Sequence, residues 1–252
     1  MFLLASDFSL CSIAGLDRLT HMAELVSVII PVFNEENFIE EVIERVLQIK
    51  LNGPVEPAEL EVIVVNDGST DDTAQKLERY NGATRVRIFH HPNNRGKAAA
   101  VQFGLNQAAG DIFIIQDADL ECVPEEIPAL LAPVLERRAS IVYGSRFKGS
   151  IVNMSRVNRL ANLFSTFTIN FLFGSKLSDM NTCYKIFRRE VLKGIEITSN
   201  HFAFDAEITA KLLRRKYDIL ELPIGYRGRS ASEGKKMNWL RALEVYWGIF
   251  RS

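Results

Sequence analysis

The sequence predicts an α/β fold built on a mostly parallel sheet. Three observations carry this. Short apolar runs rich in β-branched residues recur at 25–32, 61–66, 86–90, 111–116 and 141–143, and segments of helical period separate them. The junctions after the strands are polar and rich in Asn, Asp, Gly and Arg. The chain has 252 residues, 47% hydrophobic and 24% charged, enough to bury a substantial core.

LVSVIIPV (25–32) reads as a buried strand, and 35–49 as a helix with Phe38, Val42, Ile43, Val46 and Leu47 on one face. Gly53, Pro54 and Pro57 mark a loop. EVIVVN (61–66) is a second strand, followed by a helix over 70–80 that Ser69 or Thr70 can cap. A third strand (86–90) and helix (96–109) follow, then DIFIIQ (111–116), a helix opened by Pro124, and a fifth strand at 141–143. Beyond 150 the pattern changes. Segments 156–173, 202–216 and 239–250 read as helices and 219–224 as a strand, with a polar, basic stretch at 227–238. The organisation expected is an extension at 1–24, a first half over 25–150 and a second half over 151–252.

Net charge is −1, which excludes a whole-protein basic field for nucleic acid. Cys11, Cys122 and Cys183 lack metal-ligand spacing and are read as thiols of a reducing compartment. No stretch reaches the roughly 18 apolar residues of a membrane span, and the N-terminal segment is a poor signal peptide. A soluble or peripheral protein is expected.

In parallel α/β sheets the ligand sits beyond the carboxyl ends of the strands. The rim should therefore gather Asn34 and Glu35, Asp67 to Ser69, Pro92 to Lys97, Asp117 to Asp119, and Gly144 to Arg146. Asp117 and Asp119, two apart at a strand end, can share a hard divalent cation that also holds a diphosphate. A solvated Asx turn is the plain alternative. Asp67 can accept hydrogen bonds from a ribose or base edge, whereas Ser69 is read as a cap. Lys97 opens a helix and favours an anion, and Arg146 can face a phosphate bidentately.

The motifs PVFNEEN (31–37), VVNDGSTDDT (64–73), NNRGKAAAVQFGLNQAAGD (93–111), QDADLE (116–121) and YGSRF (143–147) resemble the inverting glycosyltransferases of family 2. LSDMNTCYKIFRREVL (177–192), FDAEITAKLLRR (204–215), ELPIGYRGRS (221–230) and EGKKMNW (233–239) extend the resemblance to the branch acting on polyprenyl and dolichol phosphates. The QxxRW motif of processive synthases is absent.

The resemblance implies a GT-A fold with an acceptor-side C-terminal part. It also implies Mg²⁺ or Mn²⁺ on Asp117 and Asp119, and a nucleotide-sugar donor (GDP-mannose or UDP-glucose) held by Pro31, Phe33, Glu35, Asp67, Lys97 and Asp117. The acceptor implied is polyprenyl phosphate, positioned by Arg146, Arg159, Lys185, Arg229 and Lys235. Asp119, Arg146 and Glu207 are the catalytic candidates, Glu207 standing between a general base and a partner for a basic residue. A phosphate acceptor is already ionised and needs no base, whereas a hydroxyl acceptor does. Two other readings remain: a hydroxyl acceptor, or a noncatalytic nucleotide-sugar binding module. Helix 156–173, aromatic on one face and basic at its start, can lie at a membrane interface or pack in the core.

Overall fold

The computed structural model describes residues 24–51, 58–197 and 204–229. The expected N-terminal extension, Cys11, Lys235 and the 239–250 helix lie outside these residues.

Among the described residues seven strands form one sheet in the order β3-β2-β1-β4-β7-β5-β8. The parallel strands β1 (Leu25–Val32), β2 (Glu59–Asn66), β3 (Val86–His90) and β4 (Ile112–Ile115) make one side. β5 (Ile141–Ser145) pairs parallel with β8 (Leu220–Pro223). Between β4 and β5 lies β7 (Lys185–Arg188), antiparallel to both. The sheet thus takes strands from both halves of the chain and has no break at residue 150.

β7 was not anticipated. Four residues with a charge at each end do not read as a buried strand, because burying Lys or Arg requires a partner. Both have one here. Lys185 donates to the Thr182 carbonyl and to Asp205, and Arg188 binds Glu24 and the Val134 carbonyl.

Helices cover both faces. α1 (Ile39–Leu47) buries Ile39, Val42, Ile43 and Val46 in the main core with the outer face of β1 and β2. α2 (Thr73–Leu77) is short and runs into a 3₁₀ turn. α3 (Lys97–Gln107) packs on the opposite face. There Gly104 permits close approach, because a Cβ would sit 2.6 Å from Ile29 Cγ2. α4 (Ile127–Leu135) follows a 3₁₀ turn begun by Pro124. α6 (Phe204–Arg214) packs on β5 and β7 through Phe204, Ile208 and Leu212. A short parallel pair, β6 (Ile151–Val152) with β9 (Tyr226–Arg227), brings residues 226–229 back over the rim.

α5 (Arg156–Phe173) begins where Ser155 Oγ accepts the Asn158 amide and ends at Gly174, φ 66°. It rests on the body through Ser165, Thr166 and Ile169. Leu160, Phe164, Phe167 and Phe171 are 61 to 79% exposed, so its aromatic face is not core. No described helix is long and apolar enough to cross a membrane.

The cysteine reading needs correction. Cys122 and Cys183, 61 residues apart, are joined by a disulfide. Their spacing carried no signal because the two loops meet only after β4 and β7 pair.

Candidate functional site

The rim is built by loops that clip to one another. Asn34, at φ 55°, accepts the Thr70 amide through Oδ1, and its own amide donates to Ser69 Oγ. The Glu35 amide donates to Thr73 Oγ1. Ser69 and Thr73 thus tie the β1–α1 loop to the β2–α2 loop, and the capping role expected of Ser69 is not taken, because α2 begins only at Thr73, after Asp72 and without a side-chain cap.

A cavity of about 420 Å³ opens at the ends of β2 and β3, lined among others by Phe33, Asn66, Gly68, His90, His91 and Asn93. Gly68 has φ +69°, and a Cβ there would lie 2.5 Å from the Asn93 carbonyl carbon. Gly68→Ala should therefore push the β3–α3 loop outward and strain residue 68. A strained backbone costs roughly 1–3 kcal/mol, so nucleotide affinity is expected to fall about tenfold, as read by calorimetry. An unchanged dissociation constant would separate the cavity from nucleotide binding.

Asp67 is buried, and its carboxylate is committed to protein donors. Oδ1 contacts His91 Nδ1 at 2.7 Å, and the two oxygens accept the amides of Arg95 and Gly96 at 2.7–3.1 Å. The carboxylate expected to meet a base or ribose thus also shapes the turn. The physical reason is burial: a carboxylate out of water takes the nearest donors. That same turn runs from the cavity wall at Asn93 to Lys97, whose Nζ lies 2.6 Å from Asp117 Oδ1. Asp67 thereby links the cavity to the carboxylate pair.

Asp117 and Asp119 stand at the end of β4. Asp119 Oδ1 accepts the Glu121 amide at 3.0 Å, the Asx turn foreseen as the plain alternative, and Leu120 sits at φ 55°. Burial, then the charges of Asp117 and Glu121, push the Asp119 carboxyl up to about 7. Such crowding of carboxylates suits a divalent cation, which reverses the repulsion. No group of three or more His, Cys, Asp or Glu among the described residues is arranged to hold an ion. Asp117 and Asp119 would give such an ion two oxygen ligands, a number that suits Mg²⁺, which keeps several waters. The two Asp fit such a group. Burial lowers the Lys97 ammonium pKa, but Asp117, Asp205 and Asp119 outweigh it and raise the group above its usual range.

Arg229 joins the β1–α1 loop to the carboxylate pair. Its guanidinium binds both oxygens of Glu35 at 2.7 and 3.0 Å, approaches Asp119 Oδ2 at 3.5 Å and covers the Phe38 ring. Burial pushes the Glu35 carboxyl up, partly offset by Arg229. Glu121 holds this arm: it accepts the Arg229 amide and the Tyr226 hydroxyl.

The cations expected to meet the acceptor phosphate are placed differently. Arg146 is buried and already bidentate, with Nε and Nη2 at 2.7 and 2.8 Å from the two oxygens of Asp179. Asp179 occupies the position expected for a phosphate. Lys185 is 1% exposed and bound to Asp205, and burial lowers its pKa. Neither reaches the rim as a free cation, because a buried charge needs a fixed counter-charge. Arg159 is exposed, with its guanidinium 6.0 Å from the Phe147 ring centroid. Glu207 is buried with Lys211 Nζ 2.5 Å away, the geometry of its pairing alternative. Asp205, two residues earlier, faces Lys185 and the field of Lys97. Sequence reasoning did not foresee His91 or Tyr226 at the site. His91 precedes the expected loop by one residue, and Tyr226 reaches it through a strand too short to read.

Known proteins are similar to this chain in architecture and in sequence. Glucosyl-3-phosphoglycerate synthase from Mycobacterium tuberculosis, solved with Mn²⁺, UDP and glucosyl-3-phosphoglycerate, superposes with a TM-score of 0.69 at 21% identity, over 90% of this chain and 79% of that one. The fold is GT-A. Dolichol-phosphate mannosyltransferase of Pyrococcus furiosus is 29% identical over 83% of this chain and 58% of its own. Undecaprenyl-phosphate 4-deoxy-4-formamido-L-arabinose transferase of Proteus mirabilis is 30% identical over 89% and 66%. The chain thus spans between about half and two thirds of the length of these curated relatives. The sequence model described as Glycosyl transferase family 2 matches residues 27–195, from β1 through β7 and the turn after it, and the chain belongs to that family.

Proposed function

We propose that the protein is an inverting hexosyltransferase that moves a sugar from a nucleotide sugar to a polyprenyl phosphate, with Mg²⁺ or Mn²⁺ held by Asp117 and Asp119. One observation carries this reading. A single loop, residues 92–97, walls the nucleotide-sized cavity and ends in the Lys97 ammonium on Asp117. The names of the prenyl-phosphate transferases at 28–30% identity support the acceptor class. GDP-mannose and UDP-glucose are both candidate donors.

The base and ribose occupy the cavity beside Phe33 and Asn66, and Asp67 keeps its far wall in place. The diphosphate extends toward Lys97 and Arg229. These cations now neutralise Asp117 and Asp119, and they turn to phosphate oxygens when the donor enters. Asp117 and Asp119 would hold a divalent ion, which would supply charge neutralisation for the leaving diphosphate, worth on the order of several kcal/mol. The acceptor phosphate is already an oxyanion and needs no proton removed. Glu207, paired with Lys211, is therefore not called on as a base.

Arg146 and Lys185 act through their ion pairs by fixing the segments around Asp179 and Asp205. Exposed Arg156 and Arg159, at the start of α5, meet the acceptor phosphate. The apolar face of α5 lies on a lipid surface, matching its two arginines to anionic headgroups and its aromatics to the acyl boundary. The protein would work at the cytoplasmic face, where donors are made. Phe164→Asp with Phe171→Asp should reduce sedimentation with anionic vesicles about tenfold while leaving UDP or GDP binding intact. Equal sedimentation would remove the membrane role of α5.

The reading is tested by titrating the full chain with UDP, GDP and their sugars, with and without Mn²⁺, then supplying polyprenyl phosphate. Metal-dependent binding of one nucleotide and release of that nucleotide only with the lipid phosphate is expected. Binding without turnover on any acceptor would overturn catalysis in favour of a binding module.

A further inference from the structure

We propose that Cys122 and Cys183 form a reversible thiol–disulfide couple that sets the grip of the donor site on metal and nucleotide. The proposal deepens the transferase reading and rests on it for its functional consequence. The bond joins two segments that both carry site residues. Cys122 follows Asp117, Asp119 and Glu121 in the loop after β4, where its carbonyl accepts from Gln116 Nε2. Cys183 lies between Asp179, which holds Arg146, and Lys185, which holds Asp205. The cross-link therefore ties the carboxylate pair to the segment that orders the acceptor side.

The β4–β7 ladder, with Ile115 beside Lys185, joins the same two segments without the bond. Tyr184 adds a hydrogen bond to Gln116 Oε1 and approaches the Val123 carbonyl. They keep the segments adjacent after reduction, so the two thiols stay poised to rejoin. What reduction releases is the covalent limit on the loop from Asp117 to Val123. Orientation of metal-binding carboxylates depends on such outer supports.

Access to the couple is asymmetric, which suits exchange chemistry. Cys122 is 1% exposed, whereas Cys183 is only partly buried. Cys183 thiolate attacks one sulfur of a small-molecule disulfide, forming a mixed disulfide and expelling one thiolate. Cys122 then attacks the Cys183 sulfur of that mixed disulfide and expels the second. The protein loses two electrons and two protons, and the small disulfide becomes two thiols. A soluble thiol runs the same steps backwards.

The test uses the full chain, treated with glutathione disulfide or reduced with a phosphine, then desalted. Nonreducing peptide mapping should show the peptides of Cys122 and Cys183 linked and two hydrogen atoms lighter than the free pair, with Cys11 alkylated. Calorimetry with Mn²⁺ and UDP or GDP should show affinity about tenfold weaker in the reduced form. Cys183→Ser, and independently Cys122→Ala, should bind with the reduced-form affinity under both treatments. Nucleotide binding with all three cysteines alkylated after oxidant overturns the couple alone. Linked peptides with equal affinities in the two forms also overturn the switch. Linked peptides with no metal-dependent nucleotide binding in either form overturn the donor-site reading, and the switch with it.

Discussion

Asp119→Asn should lower metal-dependent turnover by about a thousandfold, the scale of losing one electrostatic stabiliser of a developing charge. The fold should survive, because Asn keeps the oxygen that accepts the Glu121 amide at 3.0 Å. It also relieves the crowding that pushes the Asp119 carboxyl up to about 7. The variant is therefore expected to unfold at the same or slightly higher urea concentration while losing Mn²⁺-dependent nucleotide binding. Turnover at the parental rate, with the same metal dependence, would remove Asp119 from the metal site. Loss of turnover with a lowered unfolding midpoint would make the residue structural.

Asp179→Ala should cost about 3–5 kcal/mol of stability, since it strands the buried Arg146 guanidinium without its bidentate partner. The carboxylate also accepts the Arg146 amide, so the loss reaches the end of β5. Replacing both partners with apolar residues, Arg146→Met with Asp179→Leu, should recover most of that loss, because no uncompensated charge remains. Urea unfolding of the single and double variants measures the difference. If Asp179→Ala loses less than about 1 kcal/mol, Arg146 has another anion available and the phosphate-facing role regains its place. If the double variant is stable yet inactive, the pair serves positioning as well as stability.

Much of the architecture was readable because periodicity and punctuation report it directly. β1 and β3 lie where the apolar runs stand, and α5 runs from Arg156 to Phe173 as its spacing indicates. The polar junctions do converge on one rim, a consequence of parallel strands pointing the same way. Asp117, Lys97 and Glu35 meet there because each follows a strand at the same end of the sheet.

Which charges pair could not be read. Arg146 finds Asp179 at a separation of 33 residues, and Lys185 finds Asp205 at 20. Residue type announces a cation at a strand end, but only the packed sheet decides whether it meets protein or water. β7 shows the same limit: its four residues are strand because β4 and β5 leave a gap between them that satisfies their backbone on both sides. Asp67 turned inward because His91 and two amides reach it first. The outward aromatic face of α5 was settled by what α5 packs on, since helical period marks an apolar face without naming its partner. By itself the sequence determined the strand order of local signals, the rim and its chemistry. Tertiary structure decided the partners, because long-range pairing depends on which surfaces the folded sheet brings within a few ångströms.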